Sequence, residues 1–152
     1  MFDDLQTLAV NISQTLDNTL QSFSQLSLYN GSDWKKYILF NEEKYQRSLV
    51  FRNHNIEIFV ISWNKNQGCN IHDHPEGGCL VRVMSGELEE VCYMKNNDLM
   101  VPYQRNILKK DMIGYQEGKN GLHTIKNINQ KEGAVSLHIY SPPHYQPKFY
   151  KN

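Results

Sequence analysis

From Asp3 to about Phe23 the apolar residues Leu5, Leu8, Ala9, Ile12, Leu16, Leu20 and Phe23 recur at steps of three and four. That spacing draws one stripe on an amphipathic helix and predicts a single helix over the stretch. Asp3 or Asp4 can cap its first turn and complement the helix dipole. Asn30-Gly31-Ser32 then breaks the chain, and Asp33-Trp34-Lys35-Lys36-Tyr37 predicts the start of a short second helix. After Phe40 the pattern changes. Ile56–Trp63, Cys79–Met84, Glu87–Tyr93, Tyr103–Leu108 and Ala134–Tyr140 are short runs rich in β-branched or aromatic residues, separated by turn residues. Repeated short strands of this kind predict an all-β sandwich or barrel. Ser85-Gly86 predicts a tight turn, and Lys95–Pro102 an irregular, mobile loop.

The fold class expected is therefore mainly β, a small β-barrel with N-terminal helices. No repeat, low-complexity tract or linker divides the chain, so one domain is expected over 1–152. Within it, 1–40 reads as a helical N-terminal cap, 41–145 as the barrel and 146–152 as a short tail.

Composition narrows the partners. A chain of 152 residues fits one hydrophobic core without a disulfide staple. Sixteen basic and sixteen acidic side chains give zero formal charge, which argues against nucleic acid or an anionic membrane as the main partner. No apolar stretch approaches the roughly 20 residues of a membrane span. Met1-Phe2-Asp3-Asp4 lacks the basic flank and apolar run of a signal peptide. Cys69, Cys79 and Cys92 form no CxxC pair, and three thiols leave at least one unpaired. A reducing, cytoplasmic setting is the expectation.

Histidine carries the candidate chemistry. His72-Asp73-His74 follows Ile71 at the end of a strand, where alternate side chains share a face. His72 and His74 can then converge, with Asp73 pointing away from the same metal. Two imidazoles on one face are half of a metal site, although an isolated surface pair looks the same. Pro75-Glu76-Gly77-Gly78 and Cys79 follow, then Gly86, and later Gly121-Leu122-His123 with Asn127 downstream. This layout resembles the two motifs of the cupin superfamily, and so implies a cupin (jelly-roll) β-barrel. Cys79 stands where a typical cupin has a Glu ligand.

The resemblance narrows over Trp34 to Pro143. Tyr45-Gln46-Arg47-Ser48-Leu49-Val50, Ile71-His72-Asp73-His74, Cys79, Gly86-Glu87-Leu88, Gly121-Leu122-His123 and Ala134-Val135-Ser136-Leu137-His138-Ile139-Tyr140-Ser141-Pro142-Pro143 occur in order. Together they resemble the cysteine dioxygenase family. The resemblance implies Fe(II) held by His72, His74 and His123, and oxidation of L-cysteine by O2 to cysteine sulfinic acid. It implies that Arg47 binds the substrate carboxylate, with a hydroxyl contact from Tyr45. Cys79 and Tyr140 match a pair joined by a thioether bond. His138 matches a histidine bonded to that tyrosine, with Ser136 behind it on the same strand face. Ser141–Pro142 matches a cis bond, and Trp63 a structural aromatic. The family's usual state implies a monomer.

Other residues read more plainly. His54 and His144 are expected to face solvent, Cys69 and Cys92 to be inert buried thiols, and Glu87, Glu89 and Glu90 to form an exposed edge. Gly78 stands where the family often has His, and is expected to alter the pocket wall. Pocket residues that longer members take from their C-terminal tail would here be absent or replaced by Gln146–Tyr150. A dioxygenase for another small thiol, such as 3-mercaptopropionate, would share the histidines, but such relatives tend to carry Gln at the position of Arg47 and Gly at that of Cys79. A non-catalytic cupin binding a small molecule is the rival of another class. A zinc isomerase or hydrolase lacks its Glu ligand here.

Overall fold

The computed structural model describes residues 1–15 and 17–151. Its strands are β1 (Gln46–Arg52), β2 (Glu57–Trp63), β3 (Ile71–His72), β4 (Cys79–Ser85), β5 (Leu88–Asn96), β6 (Leu99–Leu108), β7 (Ile113–Gln116), β8 (Leu122–Lys126), β9 (Ala134–Tyr140) and β10 (Phe149–Tyr150). They form two five-stranded sheets, in the orders β1-β2-β9-β4-β7 and β10-β3-β8-β5-β6. β2 is buried at every position. A strand covered on both faces needs two different layers to pack against, and the two sets of its side chains find them. Phe59, Ile61 and Trp63 join Val83, Leu88 and Ile125 inside the barrel. Ile58 and Val60 point outward with Leu80, Leu137 and Ile139, against Leu5, Leu8 and Ile12 of the N-terminal helices. Each such buried aliphatic side chain contributes about 1.5–3 kcal/mol.

The N-terminal stripe is two helices rather than one. α1 spans Leu5–Ser13, with Asp4 accepting from the Thr7 amide at 2.7 Å, and α2 spans Thr19–Ser27, with Asn18 accepting from Gln21 at 3.0 Å. Thr15 divides them: its hydroxyl bonds back to the Ile12 carbonyl and meets Ser22 of α2. Asn18 then starts a new helix, because its side chain satisfies an amide that a continuing helix would pair internally. Leu20 and Phe23 are exposed on α2, which buries Ser22 and Leu26 instead. Leu16 lies outside the described residues. Asp33–Tyr37 is a short 3-10 helix.

Lys95–Pro102 is not a loop. β5 and β6 run through it, pairing Asn96 with Leu99 across the two-residue turn Asn97-Asp98. Asn97 takes a left-handed φ of 57°, which asparagine tolerates better than most residues. Within 146–152, Phe149–Tyr150 adds a strand beside β3, opposite His72 and Ile71. No helix is long and apolar enough to cross a membrane among the described residues.

Candidate metal centre and active site

The barrel opens on a cavity lined by residues of both sheets. His72 and His123 lie directly opposite each other on β3 and β8, and His74 follows two residues beyond His72. One ring nitrogen from each of the three lies within 4.8 Å of the others. Their Nδ1 atoms are committed elsewhere. His72 bonds to the Asn70 carbonyl at 2.9 Å, His74 to the Gly121 carbonyl at 2.6 Å, and His123 to the Glu90 carboxylate at 2.9 Å. A ring that donates from Nδ1 presents the lone pair of Nε2 to a metal. The Nε2 atoms of His74 and His123 stand 3.0 Å apart. That is the spacing of two ligands at right angles around a first-row ion with bonds of about 2.1 Å. His74 and His123 are thus spaced to share a divalent ion, with His72 near enough to be drawn in as a third donor. Asp73 takes no part. It is buried and accepts from Tyr145 Oη and the Lys148 amide, both at 2.8 Å, tying the C-terminal segment to the strand of His72.

Burial, reinforced by the neighbouring His123, lowers the pKa of His72 to about 4, and burial lowers that of His74 further. His72 and His74 are thus neutral at pH 7. An unfolded chain protonates these rings first, near 6.5. Their contribution to stability is complete above that pH and is lost as pH falls, for His72 towards 4 and for His74 lower still. The urea midpoint of the metal-free protein is expected to fall as pH drops from about 6.5 to about 4; a midpoint constant over that window would contradict neutral buried ligands.

A polar line enters the cavity from β9. Trp63 Nε1 donates to Ser136 Oγ at 2.8 Å, Ser136 Oγ lies 2.6 Å from His138 Nε2, and His138 Nδ1 lies 3.3 Å from Tyr140 Oη. Because Ser136 already accepts from Trp63, its own proton is best used towards His138 Nε2. His138 then donates from Nδ1 to the Tyr140 oxygen, leaving the phenol proton free to point elsewhere. Burial holds the pKa of His138 well below and that of Tyr140 well above their ordinary values, so both stay neutral. Cys79 stands opposite Tyr140 in the β4–β9 ladder. Burial raises the Cys79 pKa and keeps it a thiol. Ser141–Pro142 is cis.

Arg47 and Tyr45 line the same cavity from β1 and the residue before it. Arg47 is exposed, with its guanidinium carbon 4.2 Å from the centre of the Phe59 ring and 5.6 Å from that of Tyr140. Among the described residues it forms no salt bridge with a carboxylate. Tyr45 stacks on Trp63 at 4.7 Å, so Trp63 both lines the cavity and supports it.

Several expectations change. Glu90 is not on an exposed edge: β5 lies between β8 and β6, and Glu90 is 5% exposed on its inward face, while Glu87 is exposed and Glu89 pairs with Arg105. Burial opposes ionisation of Glu90, but the hydrogen bonds from His123 and Asn106 help outweigh it, and its pKa is lowered. Cys69 is half-buried and lines the cavity, with Sγ 3.7 Å from His72 Nδ1; burial raises its pKa to about 11. Cys92 is buried as expected, and His54 and His144 are exposed. Gly78 borders a separate, smaller hollow beside Tyr115 rather than the main cavity. Its φ of +92° and a Tyr115 hydroxyl 2.4 Å from any added Cβ explain glycine there. Tyr145, Pro147 and Phe149 also wall the cavity, as does Glu57, which is buried and paired with Arg52. Inward alternation of Leu88, Glu90 and Cys92 is the signal that could have identified Glu90.

Known proteins place this arrangement. A zebrafish (Danio rerio) cysteine dioxygenase type 1 is 30% identical over 91% of this chain and 69% of its own. The bovine (Bos taurus) cysteine dioxygenase type 1 is 33% identical over 75% of this chain and 59% of its own. The chain thus spans roughly three-fifths to two-thirds of these relatives. A Klebsiella pneumoniae protein with a double-stranded β-helix domain superposes with a TM-score of 0.60 at 19% identity, covering 78% of this chain and 95% of that one. A cupin superfamily protein from Desulfitobacterium hafniense gives 0.55 at 13%, covering 74% and 90%. These two likenesses establish the cupin fold. The family model of cysteine dioxygenase type I matches residues 5–152. On that match, the chain belongs to the cysteine dioxygenase type I family.

Proposed function

We propose that the protein is a cysteine dioxygenase: Fe(II) held by His72, His74 and His123, with L-cysteine and O2 as substrates and cysteine sulfinic acid as product. The observation that carries this is that three clustered imidazoles, an Arg47 without a carboxylate partner among the described residues and the Cys79–Tyr140 pair all open on one cavity. Ferrous iron would bring thiol and dioxygen together and supply the electronic coupling between them. The remaining work falls to the chain. Arg47 can grip the substrate carboxylate with two parallel hydrogen bonds, and Tyr45 offers a hydroxyl beside it. Tyr140, oriented by His138 and Ser136, points a phenol proton into the cavity, where it can steady an oxygen atom near sulfur. Ile61, Ile125 and Phe149 narrow the wall and limit water. Thiol plus dioxygen gives sulfinic acid with no atom left over, two steps up the sulfur oxidation ladder. Three free thiols fit a reducing, cytoplasmic setting.

Oxygen uptake by iron-loaded protein, with cysteine, cysteamine and 3-mercaptopropionate supplied separately, tests the substrate. Cysteine is expected to give the highest kcat/KM. Preference for 3-mercaptopropionate would overturn the role of Arg47, and no uptake with any thiol would overturn the activity.

Cys79 and Tyr140 are proposed to become joined by a thioether bond. The Cys79 S–H and a ring C–H of Tyr140 are lost, a C–S bond forms, and dioxygen accepts the two hydrogens. Intact mass is expected to fall by two hydrogens after turnover in air. An unchanged mass in fully active protein would remove the link.

A further inference from the structure

We infer that Glu90 is a positioning residue of the metal centre, fixing His123 with Nε2 facing the cavity and lending a negative charge to a ligand set that has none. The inference rests on the reading of His72, His74 and His123 as metal ligands. Glu90 Oε2 takes the Nδ1 hydrogen of His123 at 2.9 Å, and Oε1 takes a hydrogen from Asn106 Nδ2 at 3.0 Å. Both carboxylate oxygens are therefore engaged, and the group is 5% exposed beside a histidine that is 3% exposed.

Two contrasts make this contact more than packing. First, His72 and His74 donate to the backbone carbonyls of Asn70 and Gly121, which are neutral. Only His123, among the three, is held by a charged acceptor. An imidazole bonded to a carboxylate is a stronger donor towards a metal than one bonded to an amide. Second, no lysine or arginine forms a salt bridge with Glu90 among the described residues, since Arg105 is taken by Glu89. Leaving a buried carboxylate with no cation nearby is unfavourable. A divalent ion on the far side of the His123 ring supplies the missing positive charge. The carboxylate that the usual non-haem iron site contributes as a ligand is thus present here, one imidazole further out.

The test uses the full chain with Co(II) alone as probe, following its visible absorption during titration, for wild type, Glu90→Gln, Glu90→Ala and Glu90→Asp. Gln at this position keeps the shape and can still accept from His123, since the Asn106 amide can rotate to receive its NH2. It is expected to bind Co(II) about tenfold more weakly, with a shifted spectrum. Ala is expected to lose about 10–100-fold, and Asp to recover part of that loss. A merely structural Glu90 would lower the unfolding temperature of the metal-free protein and leave both affinity and spectrum of the folded protein unchanged. Wild-type affinity and spectrum in Glu90→Gln would overturn the inference. Failure of the wild type itself to bind Co(II) would overturn the three-histidine centre, and the inference with it.

Discussion

Alanine in place of His74 is expected to remove metal binding and thiol-dependent oxygen uptake together. His74 is 1% exposed, donates to the Gly121 carbonyl, and sets its Nε2 within 3.0 Å of that of His123. Removing it leaves two imidazoles, which cannot enclose an ion from three sides. Loss of an outer-shell partner alone typically costs about 10–100-fold, so loss of a ligand should lower activity by more than about 100-fold. Metal content per chain after desalting and oxygen uptake with cysteine both check this. Because His74 is fully buried, its removal also leaves a cavity. His72→Ala is the companion variant: His72 is half-buried, and it should show the same double loss. Wild-type metal content in both variants would contradict the assignment.

Arg47→Gln is expected to have the next largest effect, and a selective one. A guanidinium–carboxylate pair makes two charged hydrogen bonds, each contributing about 1.5–3 kcal/mol when shielded from water. Arg47 is exposed in the substrate-free protein, so the pair is discounted to roughly 2–3 kcal/mol in total. That corresponds to about 30- to 150-fold in kcat/KM for cysteine, mostly through KM. Cysteamine has no carboxylate and should lose little. The Phe59 ring beneath the guanidinium holds the side chain over the cavity. An equal loss for cysteine and cysteamine would show that Arg47 supports the pocket wall instead of reading the substrate.

The strands and the histidines were legible in the chain for different reasons. β2, β4 and β9 are runs of β-branched and aromatic residues because both their faces are covered, so they stand out as strands. His72 and His74 were visible from their spacing, whereas His123 needed the family pattern, since pairing across β3 and β8 is a long-range event. The helix break was hidden for a local reason: Leu5 through Phe23 keeps helical spacing, and only the capping chemistry of Thr15 and Asn18 divides it. Glu90 was hidden because Glu89 and Glu90 are adjacent and look alike, yet alternation sends one to Arg105 at the surface and the other to His123 in the core. Tyr103–Leu108 read as a strand, but the first part of β6, Leu99–Pro102, was hidden beside the polar run Lys95–Asp98, since Pro102 and its exposed neighbours suit an edge strand as well as a loop. The C-terminal wall of Tyr145, Pro147 and Phe149 has no pattern of its own. Asp73 fixes it, and that contact spans most of the chain.

The most direct test of the central claim is oxygen uptake paired with isotope tracing. Iron-loaded protein would be given L-cysteine under labelled dioxygen, with oxygen consumption and product mass recorded together. One dioxygen consumed per cysteine, with both labelled atoms in cysteine sulfinic acid, is the expected result. Uptake that yields cystine, or a product carrying one label or none, would contradict a dioxygenase.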